Sequence, residues 1–339
     1  MQRLLIIAIS TWFMLVGCQK EEISRPPYSP ALMEIPKGFP EMDIPADNQF
    51  SIARWALGKK LFYDPIMSVD SSISCAHCHQ TDLAFSDGLA VSKGVEDRLG
   101  TRNAPSLANV AYHPYFTREG GVPTLEGQIL VPIQEHNEFD FNIVLLTERL
   151  ASDSTYVKMA KAAYDRLPDP FVITRSIACF ERSLLSGYSR YDQYVSYENT
   201  RALSEQQIRG MDLFFSERTN CSSCHIGFNF TDYSFKNNGL YGVYEDIGRF
   251  RLTNKAEDLA VFKVPSLRNI ALTAPYMHDG SMLNLATVIE HYNTGGADHP
   301  NKSSLIKPLN LTESEKIDLI AFLESLSDET FVNNSLFKE

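Results

Sequence analysis

The chain has 339 residues, 44% of them hydrophobic, enough for a large soluble core and a length that favours two domains over one. Its formal charge of -11 argues against nucleic acid and against an anionic lipid surface as partners, and is compatible with drawing in a basic protein.

The N-terminus reads as a targeting segment over residues 1–17. Arg3 follows Met1, an apolar run extends from Leu4 to Gly17, and Leu15-Val16-Gly17 leads into Cys18. The run is too short for a membrane span, and it resembles a bacterial lipoprotein signal, in which Cys18 becomes the lipidated N-terminus. The alternative is an ordinary cleaved signal with an incidental cysteine. Both predict export, and the first confines membrane contact to a lipid anchor on the periplasmic side. Residues 18–47, with Pro26, Pro27, Pro30, Pro36, Pro40 and Pro45, read as a tether.

A helix is expected from Asn48 to Phe62, with Phe50, Ala53, Trp55, Leu57 and Leu61 among its apolar positions. It leads into Cys75-Ala76-His77-Cys78-His79. From Asn142 to Ala202 the pattern reads as helix, loop and helix, broken at Pro168 and Pro170. Ser204 and Gln207 form a capping box for a helix through Ile208, Met211, Leu213 and Phe214, which leads into Cys221-Ser222-Ser223-Cys224-His225. Thr312 and Glu315 cap another helix, through Ile317 to Leu323.

The two halves share more than this order. Pro105-Ser106-Leu107-Ala108-Asn109-Val110-Ala111 matches Pro265-Ser266-Leu267-Arg268-Asn269-Ile270-Ala271, and His113-Pro114-Tyr115 is echoed by Ala274-Pro275-Tyr276. The expected architecture is mainly α, with two related c-type cytochrome domains as an internal duplication: residues 48–200 and 201–339, the last helix packing back on the first domain.

Two thiols three residues apart lie on neighbouring faces of one helical turn, so both can add to the vinyl groups of one porphyrin while the adjoining histidine faces the iron. Two such blocks, each after a helix and each within a repeat, point to two covalently bound haems, on Cys75, Cys78 and His79 and on Cys221, Cys224 and His225. His77 is then a spacer. Of the six cysteines only Cys179 remains, in the apolar stretch Phe171 to Leu185, where it reads as a buried free thiol; no disulfide framework is left.

What fills the second axial site of each haem decides between electron transfer and reaction with peroxide. By chemistry alone Tyr292, Met277, His278, Met282 and His291 are all candidates at the second haem, with His278 and Met282 the main rivals of Tyr292. The repeat itself sets Pro132 opposite Tyr292, and proline cannot ligate iron. The first haem should therefore have an open position.

From about Asn48 to Leu326 the chain resembles the bacterial dihaem cytochrome c peroxidase and MauG family. The likeness rests on Gly100-Thr101-Arg102-Asn103-Ala104-Pro105, Thr124-Leu125-Glu126-Gly127-Gln128, Phe262-Lys263-Val264-Pro265-Ser266-Leu267-Arg268-Asn269 and Ala274-Pro275-Tyr276-Met277-His278-Asp279-Gly280. The resemblance implies that the second haem's sixth ligand falls on Tyr292, as in the MauG-like branch. It implies Gln128 to orient bound peroxide and Glu138 to carry its proton from the inner to the leaving oxygen, with His136 a weaker base. Members that need reductive activation carry a histidine in the loop corresponding to Ser92–Gly100; here that loop has none, so the first haem should be ready for substrate. The resemblance also implies calcium between the domains, held by the Asn103 side chain and backbone oxygens of Thr273 and Pro275. One departure stands out: Arg118 occupies the place of a tryptophan between the haems, leaving Tyr115 and Phe116 as the nearby aromatics.

The expected activity is reduction of hydrogen peroxide to water with electrons from a small c-type cytochrome. Alternatives are a MauG-like oxidase acting on a partner protein and a non-enzymatic dihaem electron carrier or sensor.

Overall fold

The computed structural model describes residues 32–339; the expected signal peptide, Cys18 and the start of the tether lie outside the described residues. The helices are α1 (Ile52–Tyr63), α2 (Cys75–Cys78), α3 (Leu125–Gln134), α4 (Ile143–Ala151), α5 (Ser154–Tyr164), α6 (Pro170–Arg182), α7 (Arg190–Val195), α8 (Glu205–Phe214), α9 (Phe250–Thr253), α10 (Leu285–Thr294), α11 (Glu313–Glu324) and α12 (Glu329–Val332). Strand structure is confined to β1 (Phe235–Lys236) antiparallel to β2 (Phe262–Lys263), with Phe235 opposite Lys263, and to isolated bridges. The architecture is mainly α, as the patterning implies.

Each half is built on one pair of crossed helices. α1 packs on α6 at Gly58, where a Cβ would lie 1.8 Å from the Ser176 carbonyl oxygen. α8 packs on α11 at Gly210, where a Cβ would lie 1.9 Å from the Asp318 carbonyl oxygen. Only glycine permits either approach. A third helix leans on each pair, α3 on α6 and α10 on α11. Their N-caps correspond: Thr124 accepts from the Gly127 amide and Asn284 from the Thr287 amide. The bridge Phe116–Val122 recurs as Tyr276–Met282, and Asn109 and Asn269 are both left-handed, at φ 59° and 58°.

Local chemistry sets the boundaries. Ser204/Gln207 and Thr312/Glu315 form reciprocal capping boxes on α8 and α11. α1 starts at a Ser51 cap, later than Asn48, because Asn48 is buried and donates to Glu126 Oε1 and to the Arg175 carbonyl, both at 2.9 Å. The stretch Asn142–Ala202 holds four helices where the pattern gives two. Asp153 caps α5 through the Thr155 amide, dividing what reads as one helix, and Ser189 opens α7 with a capping box. Pro170 begins α6 at its first position.

One buried cluster gathers Leu57, Phe62, Phe85, Leu146 and Phe180 of the first half, together with Phe331, Val332 and Phe337 from the chain's end. A second gathers Phe214, Phe230, Leu319 and Phe322. The halves are tied at Ser186. Its amide donates to Asn109 Oδ1 at 2.8 Å, Asn109 Nδ2 donates to its carbonyl at 2.9 Å, and Asn269 Nδ2 donates to its hydroxyl at 3.0 Å. Residues 32–47, read as tether, lie against this body: the Phe39 ring is 4.6 Å from that of Phe228 and 6.0 Å from that of Tyr112, and the Arg268 guanidinium covers it at 4.7 Å.

Candidate haem centres

Both cysteine-histidine blocks fold as a single tight turn. The His79 amide donates to the Cys75 carbonyl at 3.0 Å and the His225 amide to the Cys221 carbonyl at 2.9 Å. Each imidazole then makes one protein hydrogen bond: Nδ1 of His79 to the Phe85 carbonyl at 2.8 Å, and Nδ1 of His225 to the Phe230 carbonyl at 3.0 Å. That fixes the tautomer and leaves Nε2 for an iron. Burial pulls both imidazoles below their usual pKa, favouring the neutral form that ligates metal.

Phe85 and Phe230 were not visible as site residues in the sequence. Both are fully buried, and both sit at positive φ, 61° and 50°, an uncommon conformation for a bulky side chain. The packing of each ring over-determines the turn that aims its carbonyl at the histidine. The one readable signal is that each follows its histidine closely.

In the first half, α3 carries Gln128 and Pro132. Gln128 Oε1 is buried and has no hydrogen-bond partner among the described residues, as suits a group awaiting a ligand. Glu138 follows α3. Burial, reinforced by Glu135, pushes its carboxyl up to about 7. It lies near both thiols: burial, then Glu181, Cys78 and Glu138 raise Cys75, and burial, then Asp87 and Glu138 push Cys78 up to about 12. The loop without a histidine holds Glu138 from behind. The Val95 amide donates to the Glu138 carbonyl at 3.0 Å, and a Cβ on Gly94 would fall 2.1 Å from the Asn137 carbonyl oxygen. His136 is exposed and taken up by Arg98 and Asp140, at 2.8 Å and 3.2 Å, outside this group.

Opposite the second block, α10 presents Tyr292. Its phenol is buried, which raises its pKa; the Cys221 and Cys224 thiols are close enough to add to that rise. Its one side-chain partner is Asn238 Nδ2, at 3.5 Å, so the phenol oxygen is nearly unengaged. Among the rivals, Met277 lies beside it, its Sδ accepting from the same Asn238 Nδ2 at 3.3 Å, and the His291 ring lies 5.0 Å from that of Tyr292. Met277 turns there because its backbone is left-handed, at φ 77°. His278 instead stacks on Phe262 at 4.2 Å, His291 Nε2 meets the Asn238 carbonyl at 3.1 Å, and Met282 packs against the second core.

The junction between the halves is charged. Arg102 makes a bidentate pair with Asp246, at 2.6 Å and 2.9 Å, and also pairs with buried Glu119. The Asn103 amide donates to the His278 carbonyl at 2.9 Å, which docks it on the turn holding Thr273 and Pro275. Calcium requires the Asn103 side-chain oxygen, and that oxygen is engaged. Arg118 Nη2 donates to Asn103 Oδ1 at 2.9 Å and to its carbonyl at 2.6 Å, while Nε donates to the same carbonyl at 3.2 Å. Burial, with Arg102 beside it, brings the guanidinium down to about 10, so it stays charged at neutral pH. A divalent cation does not fit on an oxygen already held by a buried cation. Arg118 thus holds the side-chain oxygen that the resemblance assigns to calcium. Tyr115 stacks on Phe235 at 5.0 Å and Phe116 is buried beside His113.

Two matching cysteine-histidine turns on a mainly helical, internally repeated fold define the class as a dihaem cytochrome. The family described as Di-haem cytochrome c peroxidase matches residues 52–200. The chain is 34% identical over 290 residues to the methylamine utilization protein MauG of Methylorubrum extorquens, spanning 84% of this chain and 81% of that one. It is 32% identical to the cytochrome-c peroxidase IdrP1 of a Pseudomonas species, over 90% of this chain and 86% of that one. A solved MauG-like protein associated with microbial copper homeostasis superimposes with a TM-score of 0.85 at 35% identity, covering 90% of this chain and 97% of the other. The chain belongs to the dihaem cytochrome c peroxidase and MauG family, whose members are oxidoreductases that carry two haems.

Proposed function

We propose that the protein is an exported dihaem peroxidase that reduces hydrogen peroxide to water with electrons from a small c-type cytochrome. In this reading residues 48–200 form the peroxide-reactive domain and residues 201–339 the electron-transfer domain. Each haem is attached covalently, through Cys75 and Cys78 and through Cys221 and Cys224, with His79 and His225 as axial ligands. Cys18 carries the lipid that keeps the mature chain at the periplasmic side of the membrane. No helix among the described residues is long and apolar enough to cross a membrane.

The observation that carries the reading is the asymmetry between α3 and α10. Where Tyr292 reaches toward Cys221 and Cys224, its counterpart is Pro132, which offers no ligand, and beside Pro132 stand Gln128 with an unpartnered oxygen and Glu138 with a raised pKa. When bound, the haem held by His79 would supply oxidising chemistry toward peroxide, and the haem held by His225 would store an electron. Gln128 orients the peroxide by hydrogen bonding. Glu138 takes the proton of the inner oxygen and returns it to the outer one, so that the O–O bond breaks with water leaving. Two electrons and two further protons complete the conversion of one peroxide to two waters. Mixing the holoprotein with peroxide and reduced cytochrome c tests this: cytochrome oxidation well above that of a Glu138→Gln variant is expected, and equal rates would defeat it.

A second reading rests on Tyr292. An anionic oxygen ligand stabilises oxidised iron more than a thioether does, which favours a MauG-like oxidase that acts on a partner protein. The phenol is buried with its oxygen nearly free, and a cation is what such a group needs in order to ionise. Persistence of the peroxide-oxidised spectrum in the presence of reduced cytochrome c would favour this second activity; rapid return to the resting spectrum favours the peroxidase.

A further inference from the structure

We propose that Arg118 is a built-in cation at the junction between the two haem domains, standing where a divalent metal would otherwise bridge them, so that the holoprotein holds its junction together without calcium. The supporting geometry is local and complete. One guanidinium takes both oxygens of Asn103, and Asn103 is itself docked by its amide on the His278 carbonyl of the second half. The Arg118 carbonyl in turn accepts from the Lys263 amide at 2.6 Å, so the residue is gripped by both halves at once. A bridging ion does the same work, drawing oxygens of two segments onto one positive centre.

The charges around Arg118 fit a permanent cation. Arg102, its nearest like charge, is neutralised by Asp246 and Glu119, and Glu119 also faces Arg251 at 3.5 Å. Asp279 and Asp246 act favourably on Arg118 from a distance, and Lys263 and His278 complete the set of titratable neighbours at the junction. No carboxylate pairs with Arg118 directly among the described residues; its contacts are the amide-type oxygens that a hard metal ion would use. The side chain therefore supplies a positive charge on Asn103, one of the expected calcium ligands, and it acts as a positioning residue.

The test uses the full-length holoprotein with both haems in place. Calcium is measured by elemental analysis after exchange into metal-free buffer, and resting EPR spectra of both haems are recorded with excess chelator and with added calcium chloride. Substoichiometric calcium and spectra unchanged by either treatment are expected. One calcium per chain, with altered spin states on its removal, would overturn the proposal whatever the peroxidase assay shows. Arg118→Gln should shift the haem EPR signals and bind added calcium by calorimetry, with the wild-type spectrum restored by the ion; Arg118→Lys should remain calcium-free. An Arg118→Gln holoprotein that matches wild type in spectra and in calcium binding also overturns it.

Discussion

The Glu138 carboxyl offers the sharpest quantitative test of the proposed chemistry. Only its ionised form can accept the peroxide proton. With its pKa pushed up to about 7, roughly one molecule in eleven is ionised at about pH 6 and roughly ten in eleven at about pH 8, a change of about tenfold. A glutamate at the ordinary value of about 4.3 would be ionised throughout that window and give a flat profile. The direction follows from burial, which penalises the charge: activity falls as pH drops through the folded pKa. Single-turnover oxidation by peroxide, followed by stopped-flow absorbance between these limits, should show the acidic limb, and Glu138→Gln should lose about 10²–10⁴-fold in rate and lose the limb as well. A flat wild-type profile, or the same limb surviving in the glutamine variant, would refute the assignment.

Tyr292→Met should raise the reduction potential of the second haem in a spectroelectrochemical titration, because a thioether favours reduced iron; an unmoved potential would mean that Tyr292 is no ligand. Gly58→Ala and Gly210→Ala should each destabilise the holoprotein in denaturant titrations. The clash of a Cβ at 1.8 Å or 1.9 Å from a carbonyl oxygen, costing about 1–3 kcal/mol or more, outweighs the gain of about 1 kcal/mol in helix propensity. Glu126 forms a buried pair with Arg182, at 2.6 Å, and accepts from Asn48. Burial alone would raise its carboxyl, but these bonds hold it below the ordinary range, so the stability it contributes is present above that range and lost as pH falls through the folded pKa. Glu126→Ala should cost about 3–5 kcal/mol at neutral pH by the same denaturant assay, and a neutral result would show that the pair is not desolvated.

The duplication, the mainly helical architecture and the capping boxes were legible because they depend on local spacing. Ser204 with Gln207 and Thr312 with Glu315 cap helices by contacts within one turn. The opposition of Pro132 and Tyr292 was legible for the same reason: Thr124 and Asn284 start α3 and α10 at corresponding points, so position along each helix carries over. The rest depended on tertiary contacts. Asn48 looks like a helix start but is pulled into a buried network with Glu126, and Asp153 divides what reads as one helix. Met277 comes beside Tyr292 only because a left-handed backbone turns it there, while His278, its neighbour in sequence, leaves for Phe262. Arg118 marks a changed position in the sequence, but its turn toward the Asn103 oxygens depends on the fold and was not legible there.

The closing segment of the chain has a bearing on biogenesis. Phe85, whose carbonyl orients His79, is packed by Phe331 at 5.6 Å and by Phe337 at 6.4 Å, and the Tyr63 hydroxyl donates to the Phe337 carbonyl. In a chain made N-terminus first, the earlier cysteine-histidine turn has packing that only the end of the chain completes. In the second half Phe230 is enclosed by Phe214 and by Phe322, which also comes late in the chain. A chain cut short before Phe331 is expected to lose the packing behind Phe85 and His79 while Phe230 keeps Phe214 and Phe322.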